Sequence, residues 1–186
     1  MANNEESVFH GKIGEVVHTK QPDGRVFERY RRPPGTRLII ISPDKKILIT
    51  REFRQENGKV DLRLPGGKVV DSLPELHELL DKNADMVEEA IKGAKKEAVE
   101  ETGLVVKDLK LLTVAKAGAT VEWDLYYFEV KDYEEHPEGQ QLEHGEDVEV
   151  TWMGVKELKE AIERGEMHEW RSVGVLLGLV LPNLEK

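Results

Sequence analysis

Residues 94–104 read AKKEAVEETGL and crowd three carboxylates, Glu97, Glu100 and Glu101, into five positions. On a helix, like charges three and four apart repel by about 0.2–0.5 kcal/mol per pair. At about 100° per residue, with Glu97 taken as zero, Ala90, Ala94, Val87, Ala98 and Ile91 fall between roughly 20° and 120°, and Glu101 falls at about 40°. Two carboxylates thus lie on or against the apolar stripe, with Glu100 about 60° to its other side. A row of merely solvated charges belongs on the far face, where Lys92, Lys95, Lys96 and Glu88 project. Burying such a cluster is costly unless a cation offsets it. Oxygen ligands in a chain without cysteine point to magnesium, manganese or calcium before zinc.

The elements that must hold these carboxylates follow from the patterning. The helix spans about Ala84 to Thr102, and Gly103 is its stop. Upstream, VFHGKIGEVVHT and RVFERYRR flank the turn QPDG and predict a strand pair within residues 1–33. TRLIIIS and KKILITREF predict two buried strands, the second ending in Arg51 and Arg54. DLRLPGGKVV is a strand broken at Pro65, Gly66 and Gly67, where the backbone approaches something closely. SLPELHELLDKNAD predicts a short helix or excursion, KLLTVAKAG and VEWDLYYFEV two strands, and DYEEHPEGQQLEHGED a long acidic loop. EVTWMGV is a last strand, and two helices close the chain. Strands, helix, strands, helices in that order predict an α/β fold, a mixed sheet covered by helices in one domain, residues 1–186.

Composition excludes other classes. A net charge of −10 argues against nucleic acid and anionic membranes as partners. With no cysteine there is no disulfide, thiolate site or cysteine nucleophile, which suits a reducing cytoplasm. The greasiest run, VGVLLGLVL, is far short of the ~20 residues of a membrane span. The six histidines show no paired ligand spacing.

Taken together, LPGGKV and KEAVEETGL resemble the signature of the Nudix hydrolases: glycine, five residues, glutamate, seven residues, then Arg-Glu-hydrophobic-any-Glu-Glu-any-Gly-hydrophobic. Gly67 matches the glycine, Glu88 the isolated glutamate, and Glu97 to Leu104 the final block, after the required seven residues from Glu89 to Lys95. Two departures stand out. Lys96 replaces the arginine, a point charge for a planar fork, and 20 residues instead of five separate Gly67 from Glu88, an insertion of 15.

The resemblance implies an α/β/α sandwich, with Glu97, Glu100, Glu101 and the Gly67 carbonyl holding magnesium or manganese, and Lys96 orienting carboxylates. ILITREFR before LPGGKV, and LEHGEDVEVTWMGVKELKEAIERGEMHEWRSVGVLLGL, resemble the branch that cleaves ADP-ribose and other nucleoside diphosphate sugars. That branch implies Glu146 as base, Arg54, Arg37 and Arg51 on the phosphates, Glu122 on the substrate, and a homodimer formed through the N-terminal strands. Trp123, Phe27 or Tyr30 could stack a nucleobase. The alternatives are a Nudix hydrolase of a triphosphate or dinucleoside polyphosphate, and a Nudix-fold ligand sensor without catalysis, which intact Glu97, Glu100 and Glu101 oppose and Lys96 and the insertion favour.

Overall fold

The computed structural model describes residues 4–55 and 58–185. Ten strands run β1 Glu5–His10, β2 Glu15–Lys20, β3 Val26–Arg31, β4 Gly35–Ile39, β5 Ile47–Arg54, β6 Lys59–Arg63, β7 Leu104–Ala115, β8 Val121–Glu122, β9 Leu125–Glu135 and β10 Val148–Met153. The helices are α1 Leu73–Asp81, α2 Met86–Glu97, α3 Val155–Glu163, α4 Trp170–Val175 and α5 Leu181–Leu184, with π-helical turns at Ala98–Thr102 and Leu176–Val180. The predicted N-terminal pair is instead three strands. The run VFHGKIGEVVHT breaks at a turn where Gly11 N–H donates to the Gly14 carbonyl (2.8 Å), and β8 joins β3 in parallel to make the sheet β1-β2-β3-β8. Residues 1–3 of that predicted segment lie outside the described residues.

The predicted mixed α/β layering is present. Two three-stranded sheets, β4-β9-β7 and β10-β5-β6, form the central layer. Strand alternation splits its side chains between two cores. Leu38, Ile40, Leu48, Tyr126 and Phe128 meet Ala90, Ala94 and Ala98 of the glutamate helix. Ile39, Ile47, Ile49, Leu125 and Tyr127 meet Leu158, Ala161, Val173 and Leu176 on the opposite side. Among the described residues no helix is long and apolar enough to cross a membrane.

The segment after β6 stitches the two sheets together without being a regular strand. Leu38 N–H donates to the Pro65 carbonyl, Thr36 N–H to the Gly67 carbonyl and Val69 N–H to the Pro34 carbonyl. Gly66 has φ +136°, and a Cβ there would come within 2.3 Å of the Thr36 carbonyl oxygen, so only glycine serves. The insertion forms α1, capped by Ser72 with a proline in its first turn and burying Leu73 and Leu76. It does not enter the sheet; His77 reaches back to Glu15 of β2 at 2.7 Å.

Candidate active site

Helix α2 presses on the glycine segment because its contact face is small: Ala90, Gly93 and Ala94 are buried, and a Cβ on Gly93 would meet the Lys68 carbonyl oxygen at 3.0 Å. Asp85 caps its start by accepting from Val87 N–H at 2.9 Å. After Glu97 the helix widens into the π-helical turn and ends at Gly103, φ +68°. Such widened turns recur at functional sites, and a wheel drawn for a regular helix does not contain one. Here the turn carries Glu100 and Glu101.

Glu101 is 8% exposed, and its carboxylate accepts from Gly66 N–H at 2.7 Å. Burial pushes its pKa up to about 8, aided by the charges of Glu97 and Glu52 and opposed by the Gly66 hydrogen bond. Glu97 lies so close over Gly67 that a Cβ there would fall 1.8 Å from Oε1; burial, then the charge of Glu100, pushes it up to about 7. Lys96 Nζ stands 3.3 Å from Glu100 and 3.4 Å from Glu143. Burial works against its charge, but these two partners outweigh it and the ammonium is strengthened. The protein therefore leaves buried carboxylates under-compensated. Among the described residues no three carboxylates already converge as a cation cage, yet hard oxygen donors whose protons are loosely justified are the donor set that fits a divalent cation.

These groups line one cleft of about 330 Å³, together with Arg32, Arg37, Glu52, Arg54, Arg63 and Trp123. The acidic loop is pinned over it by backbone and amide contacts: Gln141 N–H donates to the Glu100 carbonyl and His136 N–H to the Gly103 carbonyl, while the Gln140 amide reaches the carbonyls of Glu101 and Val148. That anchoring brings Glu143 and Glu146 to the rim, where the Glu146 carboxylate accepts from Glu143 N–H at 3.0 Å. Gln140 and Gln141 carried no motif, so nothing in the sequence singled them out. Glu52 and Arg63 were also missed, although Glu52 could have been found by alternation from Arg54 on β5.

The structure brings Gly67, Lys96, Glu97, Glu100, Glu101, Glu146, Arg37 and Arg54 to this cleft. Arg37 is buried, donating to the Thr36 and Gly66 carbonyls at 2.7 and 2.9 Å, so it braces the glycine turn. Arg51 and Glu122 do not line this cleft. Side chains alternate along β5, so Glu52 and Arg54 face the cleft while Arg51 lines a separate groove, 3.6 Å from Glu149. Glu122 is aligned with Arg31 by the parallel β3–β8 register and pairs with it at 2.9 Å. Glu88 is exposed in the first turn of α2. Trp123 is at the cleft, but its ring is already engaged by the guanidinium groups of Arg32 and Arg171, at 4.3 and 4.1 Å from the ring centroid.

The chain is 27% identical over 185 residues to the GDP-mannose pyrophosphatase of Enterobacter sp. (strain 638), covering 93% of this chain and 84% of that protein. Its fold is similar to the crystal structure of an ADP compounds hydrolase, with a TM-score of 0.66 at 19% identity over 97% of this chain and 90% of the other. The NUDIX domain model matches residues 31–172, a span that takes in the glycine turn, the glutamate helix and the acidic loop, and the chain belongs to the Nudix family of pyrophosphohydrolases.

Proposed function

We propose that the protein hydrolyses the pyrophosphate bond of a nucleoside diphosphate sugar, ADP-ribose by preference, giving a nucleoside monophosphate and a sugar phosphate. The observation that carries this is the pair Glu97 and Glu101, buried against Gly66 and Gly67 with pKa values raised to about 7 and about 8, in a cleft whose other wall holds Arg54 and Arg63. Glu97, Glu100, Glu101 and the Gly67 carbonyl would hold magnesium, or manganese in its place, which when bound supplies charge neutralisation of the pyrophosphate and acidification of water. Arg54 faces the phosphates, Arg37 holds the glycine turn against them, and Lys96 orients Glu100. Glu146, at the rim, takes the proton of the attacking water.

The name of the Enterobacter relative supports a sugar nucleotide and makes GDP-mannose the first competitor to ADP-ribose. A magnesium-dependent hydrolysis screen over nucleoside diphosphate sugars, nucleoside triphosphates and dinucleoside polyphosphates tests the reading; it fails if only the latter two classes turn over, or if turnover persists in chelator. We further propose that the chain folds as one domain, works in the cytoplasm and pairs as a homodimer through its N-terminal sheet. That sheet exposes Val8, Phe9, Val26 and Phe27, and a monomer by analytical ultracentrifugation would refute the pairing.

A further inference from the structure

Most cations of the cleft are balanced by a neighbouring carboxylate. Arg54 stands 3.3 Å from Glu52, Arg63 3.8 Å from Asp61, Lys96 3.3 Å from Glu100, and Arg37 3.6 Å from Glu169. Arg32 differs. Among the described residues its guanidinium has no carboxylate within 4.0 Å, and its buried Nε, like that of Arg37, has no hydrogen-bond partner. Its guanidinium lies over the Trp123 ring, 4.3 Å from the centroid, a contact that does not use its N–H groups. A donor held in place and left without an acceptor costs stability, and more so when it is charged.

Arg32 does not stand alone. Pro33, Lys68 and Asp71 line the main cleft with it, and the same four residues line a small annex that opens beside it and also takes in Lys12. Lys68 and Lys12 have no ion pair among the described residues, and Asp71 is the one carboxylate lining the annex with its three cations, while Arg32 also borders a groove with Glu122 and Asp124. The annex adjoins the glycine turn, since Lys68 follows Gly67 directly and bridges to Gly35. Because Arg32, Pro33, Lys68 and Asp71 line both spaces, a group bound in the main cleft can extend into the annex.

We infer that Arg32, Lys68 and Lys12 form a subsite for an oxyanion, a carboxylate or phosphate carried on the sugar of the substrate, so that the enzyme prefers a nucleoside diphosphate sugar bearing this extra negative charge. The inference rests on the function proposed above and narrows its substrate class. Arg32 contributes a rigid fork suited to two oxygens, while the lysines contribute mobile point charges.

Two substrate pairs test it: UDP-glucose against UDP-glucuronate, and ADP-ribose against ADP-ribose 1″-phosphate, each by kcat/KM in magnesium. The anionic member of at least one pair is expected to be favoured by about tenfold, mainly through KM, as a charge-assisted contact would give. Arg32→Met should collapse that ratio to near one, Arg32→Lys should restore part of it, and Lys68→Met should lower it even if the Arg32 variants fail to fold. The pair that shows the preference tells carboxylate from phosphate. Hydrolysis of all four without preference, or a preference that survives Arg32→Met and Lys68→Met, overturns the subsite while leaving the proposed function standing. Hydrolysis of none of them, with nucleoside triphosphates cleaved, overturns both.

Discussion

Two groups of crowded carboxylates differ in what surrounds them. In the N-terminal sheet, Glu5 and Glu122 share Arg29 and Arg31, and the buried Glu15 meets His77 at 2.7 Å and Arg31 at 3.7 Å. Hydrogen bonding from Arg31 holds Glu5 below the usual carboxylate range. Burial alone would raise Glu15, but Ser7, His77 and Arg31 outweigh it and its pKa is lowered. At the cleft the same residue type is pushed up, because Glu97 and Glu101 are buried beside other glutamates. A carboxylate neutralised by its own chain is a structural part; one left under-compensated is a place for a cation from outside.

The largest effect that tests this contrast is at the rim. Glu146→Gln should lower turnover by ~10²–10⁴-fold, the usual worth of a general base, with cation affinity by calorimetry nearly intact. If turnover survives, the base lies elsewhere, and Glu143, which also lines the cleft, is the next to replace. Glu100→Gln and Glu101→Gln should each cost at least ~10²-fold in kcat, as loss of a ligand to a catalytic cation does. Full activity in both variants would show the cluster to be structural after all.

The raised values of Glu97 and Glu101 set a pH dependence whose sign can be worked out. Their folded pKa values, about 7 and about 8, exceed the ordinary 4.5. The metal-free fold therefore carries no penalty from them below about pH 4.5 and a penalty that grows above it, levelling at about pH 7 for Glu97 and about pH 8 for Glu101. A divalent cation displaces their protons, so magnesium affinity should rise by up to about tenfold per pH unit for each proton released, levelling above pH 8. Thermal shifts on adding magnesium, measured from pH 6 to 9, check this; a flat response would remove the distinction between the two groups.

Smaller effects sharpen it. Lys96→Ala should reduce turnover several-fold, roughly the weight of one half-exposed ion pair, whereas Lys96→Arg should preserve or raise it; equal activity in the parent and the alanine variant would mean that the position is only solvated. Glu15→Gln should lower unfolding stability by about 2 kcal/mol through the stranded partners of a buried carboxylate, seen by urea denaturation, with no measurable change in turnover. A loss of activity at unchanged stability would instead tie the N-terminal sheet to the chemistry.

How much of this was legible follows the range of each interaction. The glutamates were readable because helical periodicity is local: placing Glu97 and Glu101 against Ala90, Ala94 and Ala98 needs only their spacing. Gly66 and Gly67 were readable as a close approach, and the structure supplies what approaches, the Thr36 carbonyl and the Glu97 carboxylate. The motif spacing identified the family, and the order of periodic segments gave the mixed α/β fold. Alternation along β5 puts Arg51 and Arg54 on opposite faces, but which face borders the cleft depends on how the sheets pack. The pairing of Glu122 with Arg31 was not readable, because a parallel strand contact joins positions 91 apart in the chain. The third N-terminal strand, the π-helical turn under Glu100 and Glu101, and the anchoring of the acidic loop by Gln140 and Gln141 likewise came only from tertiary structure. Each is set by backbone hydrogen bonds between segments distant in sequence or by the fit of a helix end against a loop, and neither leaves a periodic trace in the order of the residues.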